Sequence, residues 1–446
     1  MEPTFKFHFK RDKLSLQMYM SSCALDEVLN GRSLNLFLDN LDHNIRPSVQ
    51  SLTFHALRNL GWANFVGNYL IKSYPNGIFR SLFLLSLTLL KFSSFSGKNL
   101  DLQVPVYRDF TIVNESVKVA KSIPFLRPYK GLLNASLRSF LRGSSEISIL
   151  AKKSSQAIWN YPEWWIEKIK TNYPNRWIEI LSCTDIQAPL TLRVNIKNSN
   201  RDNVLNLFND NGIEAKAFGF NGIVLEKSYS VKELPGFQQG MWSVQDPGAQ
   251  LAAPLLCVRD GMNVLDACAA PGGKTSHLLE LADIDLVALD SNRSRLGRLQ
   301  ENLDRLNLYS NNIKIIEGDA KQIGQWWDGK LFDIILADVP CTASGIVRKH
   351  PDIRWIKKND DIESFRLIQS SIIDSLWNTL APGGRFLYST CSIFPEECVY
   401  QVLLFLEKHN DALLLDSPGQ ILPARSNVLT VGHDGFFFAL FTKVKT

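Results

Sequence analysis

An acid and two thiols stand where apolar segments of the sequence end. The apolar run Phe332 to Ala337 predicts a buried parallel strand, and Asp338 and Cys341 follow it directly. A second strand is predicted within Gly384 to Ser392, and it delivers Cys391. Ligands of an open α/β sheet bind outside the carboxyl ends of its strands. Both cysteines are therefore expected at one site, whereas a lone cysteine elsewhere is better interpreted as an inert buried thiol.

A cationic and aromatic run follows the first of these cysteines. Residues Gly345 to Lys358 place basic side chains beside a tryptophan, a combination suited to a phosphate backbone and to stacking on a base. The sequence therefore predicts a nucleic-acid surface in this segment. The candidate contacts are Arg348, Lys349, His350, Arg354 and Trp355.

Other strands of the C-terminal half also end in acids. Apolar runs lead to Asp266, Asp290 and Asp319, in register with the strand that ends at Asp338. Strands that alternate with helices in this way predict a doubly wound parallel sheet. Any one of these aspartates could simply cap a helix or a turn, but three in register favour a ligand site.

A glycine-rich turn after the strand that ends at Asp266 suggests which ligand binds. Cys268 stands where a phosphate-binding P-loop has its first glycine, and the GxGxxG dinucleotide fingerprint is absent. An acid at the end of the next strand fits a cofactor with one ribose, because a carboxylate accepts hydrogen bonds from ribose hydroxyls. S-adenosyl-L-methionine is therefore the expected cofactor. Its predicted contacts are Cys268, Ala269, Ala270, Pro271, Gly272, Gly273, Lys274, Asp290, Asp319 and Asp338.

The elements that position these residues predict three domains. Helical spacing recurs through the first part of the chain, so residues 1–144 are expected to be all-α, with helices that begin at Asn114 and span Lys130 to Arg142. Residues 145–255 predict a connector with a small α/β subdomain. Residues 256–446 predict a Rossmann-like α/β domain, closed by a late strand from Gly435 to Lys443.

Composition excludes several classes of protein. The run Leu82 to Leu90 is too short to span a membrane and predicts a core helix, and no secretory signal is apparent. The seven cysteines have no repeating spacing and no CxxC pair, so we expect reduced thiols, no metal and a cytoplasmic location. The first 150 residues carry 18 basic and 10 acidic side chains, which favours an anionic partner, although a solvated helical face is about as good an explanation.

Three motifs together resemble a known family. DACAAPGGKT at Asp266 to Thr275, DVPCTASGIVRKHPDIRW at Asp338 to Trp355 and YSTCS at Tyr388 to Ser392 are similar to motifs of the RNA cytosine-C5 methyltransferases of the Sun, Fmu and NSUN group. Within that group, RKHPDIRW, VNESVKVAK and KGLLNASLRSFLR resemble the RsmB family of 16S rRNA methyltransferases, in which a NusB-like RNA-binding domain precedes the methyltransferase. The resemblance covers roughly residues 20–443.

The resemblance implies an activity and a role for each cysteine. The chain would transfer a methyl group from S-adenosyl-L-methionine to C5 of a cytosine in small-subunit ribosomal RNA. Cys391 is implied to be the nucleophile that adds to cytosine C6, and Cys341 to assist product release. Asp338 is expected to contact the cytosine ring or the cofactor, and Lys274 to hold charge near the site. The base must leave any stack to reach a buried thiol, and a monomer is the default expectation.

Two other classes stay open on the sequence alone. The basic helical domain could belong to an RNA-binding module without activity, although a complete cofactor edge argues against that class. A DNA cytosine-C5 methyltransferase would use the cysteine of the PC motif, here Cys341, as its nucleophile instead.

Overall fold

The computed structural model describes residues 14–93, 105–227, 229–426 and 431–444. The first 13 residues, where no secretory signal is predicted, lie outside this part of the chain. The described chain forms two compact units. One consists of the residues up to Asp185 together with His350–Lys357, and the other of Ile186–Lys349 together with the residues from Lys358 onward.

The first unit is helical, as predicted. The helix α5 contacts α1, α3, α4, α6 and α7, and its segment from Leu82 to Leu90 is buried on every face, as expected for a helix that is apolar all round. In the described part of the chain, no helix is long and apolar enough to cross a bilayer. The helices of this unit before Asp185 are α1 (Leu14–Leu29), α2 (Leu34–Leu38), α3 (Arg46–Leu57), α4 (Leu60–Leu70), α5 (Gly77–Ser93), α6 (Asp109–Ser122), α7 (Lys130–Ala151), α8 (Ser155–Trp159), α9 (Glu163–Asn172) and α10 (Trp177–Cys183).

Two helices of this unit are longer than predicted. Helix α6 begins at Asp109 rather than at Asn114. Helix α7 continues past the predicted domain boundary at residues 144 and 145, because Ile147 and Ala151 are buried against the helical core. The segment Gly143 to Glu146 has the composition of a linker, but apolar residues beyond it continue the helix.

The second unit begins with a small antiparallel sheet of order β2-β3-β1-β4. Helix α11 packs Val204 and Phe208 against Leu192 and Trp242 of this sheet. The elements are β1 (Leu190–Val194), α11 (Arg201–Asp210), β2 (Ala215–Phe218), β3 (Gly222–Leu225) and β4 (Trp242–Val244).

A larger sheet of seven strands follows, and it is Rossmann-like as predicted. Its order is β10-β11-β9-β8-β5-β6-β7, in which β9, β8, β5, β6 and β7 are parallel. The predicted closing strand β11 lies inside the sheet, antiparallel to both neighbours, because an unpredicted strand β10 covers its outer side. The elements are α12 (Ala252–Leu256), β5 (Asn263–Ala267), α13 (Gly273–Leu281), β6 (Asp285–Asp290), α14 (Arg293–Arg305), β7 (Ile313–Glu317), β8 (Phe332–Asp338), α15 (Ile353–Ile356), α16 (Asn359–Trp377), β9 (Leu380–Thr390), α17 (Val399–Lys408), β10 (Ala412–Ile421) and β11 (Phe436–Lys443).

The short segment His350–Lys357, which contains α15, belongs to the helical unit. The carboxylate of Asp352 accepts a hydrogen bond from the Leu34 amide at 3.1 Å, and the Trp355 indole donates to the Leu57 carbonyl at 3.1 Å. Trp355 and Ile356 pack against the helical core. The chain therefore leaves the second unit after β8, contributes eight residues to the first unit and returns.

Candidate active site

Strands β8 and β9 bring the two predicted cysteines together. The sulfur atoms of Cys341 and Cys391 are 3.4 Å apart, within hydrogen-bonding distance for thiols. The loops that follow the two strands are also joined through the backbone, because the Gly345 amide donates to the Cys391 carbonyl at 2.8 Å. Parallel neighbours thus deliver both thiols at one sheet edge, as the sequence predicts.

The environment of Cys341 keeps its thiol neutral. The hydrogen bond with Cys391 and burial both raise the pKa of Cys341 well above its usual value. A neutral thiol that contacts a second sulfur can donate a proton to that sulfur. The pair can therefore combine a nucleophile with a proton donor.

Lys274 and Asp338 form an ion pair beside the thiols. The ammonium of Lys274 donates to Asp338 Oδ2 at 2.6 Å, and the Ser389 hydroxyl donates to Asp338 Oδ1 at 3.1 Å. Burial alone would lower the pKa of Lys274, but the attraction and hydrogen bond of Asp338 raise it above the usual value. Lys274 is thus held charged, and both oxygens of Asp338 are oriented at the carboxyl end of β8.

Asp266 is a fully buried acid at the end of β5. Its Oδ2 accepts a hydrogen bond from the Thr275 hydroxyl at 2.6 Å. Its Oδ1 is buried and accepts no hydrogen bond from the part of the chain that the structure describes. Burial raises the pKa of Asp266 to about 7. This strand-end acid was predicted from the sequence, but its hydrogen bond to Thr275 was not.

The predicted cofactor loop lies between β5 and α13 and is anchored by Asp290. The Asp290 carboxylate accepts hydrogen bonds from the Ala270 amide at 3.1 Å and from the Asn292 amide at 2.9 Å. Cys268 and Gly272 have φ angles of 62° and 98°, and a side chain at Gly272 would approach Leu299 to 3.0 Å. The glycine is therefore required for the close turn that starts α13. The rest of the predicted loop, Ala269, Ala270, Pro271, Gly273 and Lys274, lies in the same turn and the first residues of α13.

Asp319 follows β7 and holds its own turn. Its carboxylate accepts a hydrogen bond from the Lys321 amide at 3.0 Å and forms an ion pair with the Lys321 ammonium at 3.4 Å. These contacts are those of a turn-capping aspartate, the alternative that the sequence left open. They use only part of the acceptor capacity of the carboxylate.

The predicted nucleic-acid contacts of the second unit are ion-paired within the protein. The Arg348 guanidinium is buried and lies 3.2 Å from Asp434, and Lys349 lies 2.5 Å from Asp246 and 3.0 Å from Asp434. Their positive charges are offset by two aspartates. The prediction that Arg348 contacts a phosphate is therefore wrong, because its guanidinium is buried and paired. Lys349 forms ion pairs with both aspartates.

The remaining predicted contacts, His350, Arg354 and Trp355, belong to the helical unit. Arg354 is fully buried, ion-paired with Asp185 at 2.8 Å and stacked over the Tyr161 ring at 4.3 Å. His350 and Trp355 are half-buried. The prediction of a cationic surface at Arg354 is wrong, because a guanidinium beside aromatic rings suits a protein core as well as a nucleic acid when its charge is paired.

Sequence reasoning missed a buried ion pair behind the cofactor loop. Arg193 of β1 and Glu280 of α13 are both about 1% exposed and are joined by hydrogen bonds of 2.6 and 2.8 Å. Arg193 also donates to the Gly273 carbonyl at 2.8 Å. The sequence signal that could have indicated this pair is Arg193 itself, a charged residue between the apolar neighbours Leu192 and Val194. Among the described residues, no group of three histidines, cysteines or acids could hold a metal ion.

Comparison with known proteins identifies the family. Residues 253–442 match the family model of 16S rRNA methyltransferase RsmB/F, and residues 161–232 match an RsmF/B-like ferredoxin-like domain. The ribosomal RNA small subunit methyltransferase B of Vibrio cholerae is 36% identical, over 95% of this chain and 96% of that protein. Its namesake from Pseudomonas syringae is 41% identical, over 71% of this chain and 73% of that protein.

Solved structures share the fold. The crystal structure of PH0851 has a TM-score of 0.75 at 21% identity, over 96% of this chain and 99% of that chain. A methyltransferase homologue from Pyrococcus horikoshii has a TM-score of 0.55 at 27% identity, over 65% of this chain and 97% of that chain. NSun6 from Pyrococcus horikoshii, solved with the S-adenosylmethionine analogue SFG, has a TM-score of 0.57 at 20% identity, over 64% of this chain and 99% of that chain.

The likeness in sequence to curated relatives spans nearly the whole chain, and the predicted motifs lie in the matched region. The chain therefore belongs to the family of ribosomal RNA small subunit methyltransferase B.

Proposed function

We propose that this protein transfers a methyl group from S-adenosyl-L-methionine to C5 of a cytosine in small-subunit ribosomal RNA. The observation that carries the proposal is the pair of thiols, Cys341 and Cys391, 3.4 Å apart at the carboxyl edge of the sheet. Cytosine C5 is a poor nucleophile, so its methylation calls for a thiol that first adds to C6. Methylation of a nitrogen or a hydroxyl needs no such thiol. The names of the relatives support ribosomal RNA as the substrate.

The residues at the carboxyl ends of β5 and β6 fit the proposed cofactor. The buried Oδ1 of Asp266, without a hydrogen-bond partner in the described chain, can accept a hydrogen bond from a polar ligand. The positive φ angle of Gly272, 98°, allows the close backbone turn that a ligand can approach at the start of α13. We propose that this loop, Asp290, Asp319 and Asp338 hold S-adenosylmethionine. The cofactor supplies an electrophilic methyl group when bound, and its analogue in the NSun6 structure supports this assignment.

The chain's own residues provide the other steps. The Cys391 thiolate forms a bond to cytosine C6, and the C5=C6 electron pair moves to C5, which becomes able to attack an electrophile. Asp338, fixed by Lys274, contacts the cytosine ring and favours protonation at N3. After methylation, a water molecule takes the C5 proton, the electron pair of the broken C–H bond restores the C5=C6 double bond, and the C6–S bond breaks to release the Cys391 thiolate. The neutral Cys341 thiol, which already contacts the Cys391 sulfur, protonates the departing thiolate.

Covalent capture of RNA tests the two cysteine roles. Cys341→Ala is expected to accumulate a denaturant-resistant RNA adduct, because release of the product is slowed, whereas Cys391→Ala should form none. The adduct is measured by denaturing electrophoresis with labelled small-subunit rRNA, with duplex DNA and tRNA in parallel. An adduct that persists in Cys391→Ala and disappears in Cys341→Ala would assign the nucleophile to Cys341, as in DNA cytosine-C5 methyltransferases.

We further propose that the helical unit is NusB-like and binds the RNA backbone. Exposed basic residues on and between α6 and α7 offer phosphate contacts that the buried Arg348 and Arg354 do not. These residues are Lys121, Arg127, Lys130, Arg138 and Arg142.

Salt dependence of RNA binding tests this surface. The double substitution Arg138→Gln and Arg142→Gln should weaken binding and reduce the slope of log affinity against log salt by about 1–2, since each phosphate contact contributes about 0.7–0.9. An unchanged slope would remove these two residues from the RNA interface. Lys216→Gln, exposed on β2, is the matched control.

A further inference from the structure

Behind the two thiols lies a buried carboxylate that the catalytic scheme does not use. Glu397 ends the short 3-10 helix Pro395–Glu397 and is 0% exposed. Its two oxygens accept four hydrogen bonds. Oε1 accepts from the Thr342 amide at 2.8 Å and from the Gln369 amide group at 3.0 Å, and Oε2 accepts from the Ser392 hydroxyl at 2.6 Å and from the Thr342 hydroxyl.

These partners sit next to the thiols in the sequence. Thr342 follows Cys341, and Ser392 follows Cys391. One carboxylate thus binds the residue after each cysteine. The Ser344 hydroxyl adds a second link between the same loops, because it contacts the Ser392 hydroxyl at 3.0 Å and accepts from the Ile393 amide at 2.9 Å.

The geometry of these bonds requires a carboxylate rather than an amide. Burial raises the pKa of Glu397, while the hydrogen bonds from Ser392 and Thr342 oppose that shift. Both hydroxyls direct their hydrogens at Oε2, so an NH2 group in its place would face two donors. A buried charge is costly unless it is fully hydrogen-bonded, and here it joins two loops that must be in register.

We propose that Glu397 is a positioning residue that sets the separation of the Cys341 and Cys391 sulfurs by holding Thr342 and Ser392. The catalytic consequence rests on the proposed function. The thiol separation itself is a property of the protein alone.

Thiol bridging measures that separation without RNA or cofactor. Dibromobimane becomes strongly fluorescent when it links two nearby thiols, and mass spectrometry identifies the peptide that joins Cys341 to Cys391. Glu397→Gln is expected to lower the yield of this bridge at least fivefold. Glu407→Gln, an identical change at an exposed position of α17, should leave it unchanged. A yield in Glu397→Gln equal to that of the wild type would overturn the inference.

A matched pair at Thr342 decides the matter if Glu397→Gln does not fold. Thr342→Ser keeps the hydroxyl that donates a hydrogen bond to Glu397, and Thr342→Val removes this hydroxyl at nearly constant side-chain volume. The bridge yield should fall in Thr342→Val and be retained in Thr342→Ser, whereas equal yields would contradict the inference.

Kinetics separate positioning from general loss of structure. In Glu397→Gln and Thr342→Val, kcat for rRNA methylation should fall at least tenfold while the affinity for S-adenosylmethionine, measured by calorimetry, stays within twofold. A parallel loss of cofactor affinity and kcat would indicate a purely structural role and overturn the proposal. If the wild-type protein produces no 5-methylcytosine, the proposed function fails, and the bridging comparison still decides the role of Glu397.

Discussion

Asp266 is an acid whose ionisation the fold resists. Burial raises its pKa from 3.8 to about 7, so the folded state holds a proton that the unfolded chain loses. The stabilisation is complete below pH 4 and is lost as the pH rises to about 7. The free energy of unfolding therefore contains a contribution that decreases across the pH range of ordinary assays.

Substitution of this acid should reverse that loss. Asp266→Asn can still accept from Thr275 and cannot ionise, so its stability relative to the wild type should rise by roughly 2–3 kcal/mol between pH 5 and pH 8. Urea unfolding of the two proteins at both pH values measures the difference. A gap that does not change with pH would mean that Asp266 titrates normally.

Single residues were predictable where a local pattern determined their place. Asp290, Asp338 and Cys391 follow apolar strands, and their location at one sheet edge follows from the parallel order of those strands. The environment of Arg354 was not predictable in this way, because its partner Asp185 lies 169 residues away in the sequence. The role of Glu397 was not predictable for the same reason, because its partner Thr342 lies 55 residues away in the sequence. Locally, Glu396 and Glu397 are two acids of the kind that often begin a helix.

At the scale of elements, the ion pair of Arg193 and Glu280 ties the small sheet to the helix behind the cofactor loop. Arg193→Met would leave Glu280 charged, buried and without its main partner, which should lower the free energy of unfolding by about 3–5 kcal/mol. Since Arg193 also contacts the Gly273 carbonyl, cofactor affinity should fall as well.

The double variant provides the control for this prediction. Arg193→Met with Glu280→Leu removes both charges, so it should be more stable than Arg193→Met alone, because no buried charge is left unpaired. Chemical denaturation of the single and double variants measures the difference. A double variant less stable than the single one would show that Glu280 has other stabilising contacts.

Elements were predicted well where their periodicity was strong and poorly where composition misled. Strands β5, β6, β7 and β8 each end within two residues of the acid that was predicted to end them. Strand β10 was missed because Ser417, Pro418 and Gly419 interrupt it, and the register with β11 shifts at that point. A neighbouring strand supplies the hydrogen bonds there, which a local pattern does not encode.

At the scale of the whole molecule, the inserted segment His350–Lys357 is part of the helical unit's core. Arg354→Met should remove an ion pair and the hydrogen bonds to the Asn160 and Thr184 carbonyls, at a cost of about 2–4 kcal/mol. Hydrogen exchange should accelerate in the helices up to Asp185 and stay unchanged in the strands of the seven-stranded sheet. Arg142→Met, exposed on α7, is the control.

Hydrogen exchange that accelerates in both units, or in the large sheet alone, would contradict the assignment of this segment to the helical unit.

The order along the chain of a helical unit followed by a Rossmann-like unit was predictable, because the apolar period changes along the chain. The return of eight residues to the first unit was not, since a segment this short carries no periodic signal of its own.

This connectivity has a consequence during synthesis on the ribosome. The helical residues up to Asp185 emerge first, but Trp355 and Ile356, which pack against their core, emerge only after β5 through β8 have been made. At about 5–20 residues per second of translation, the delay is roughly 10–30 s. The part of the protein that is translated first therefore completes its core only after most of the catalytic sheet has left the exit tunnel, and until then it exposes apolar surface that a nascent-chain chaperone could bind.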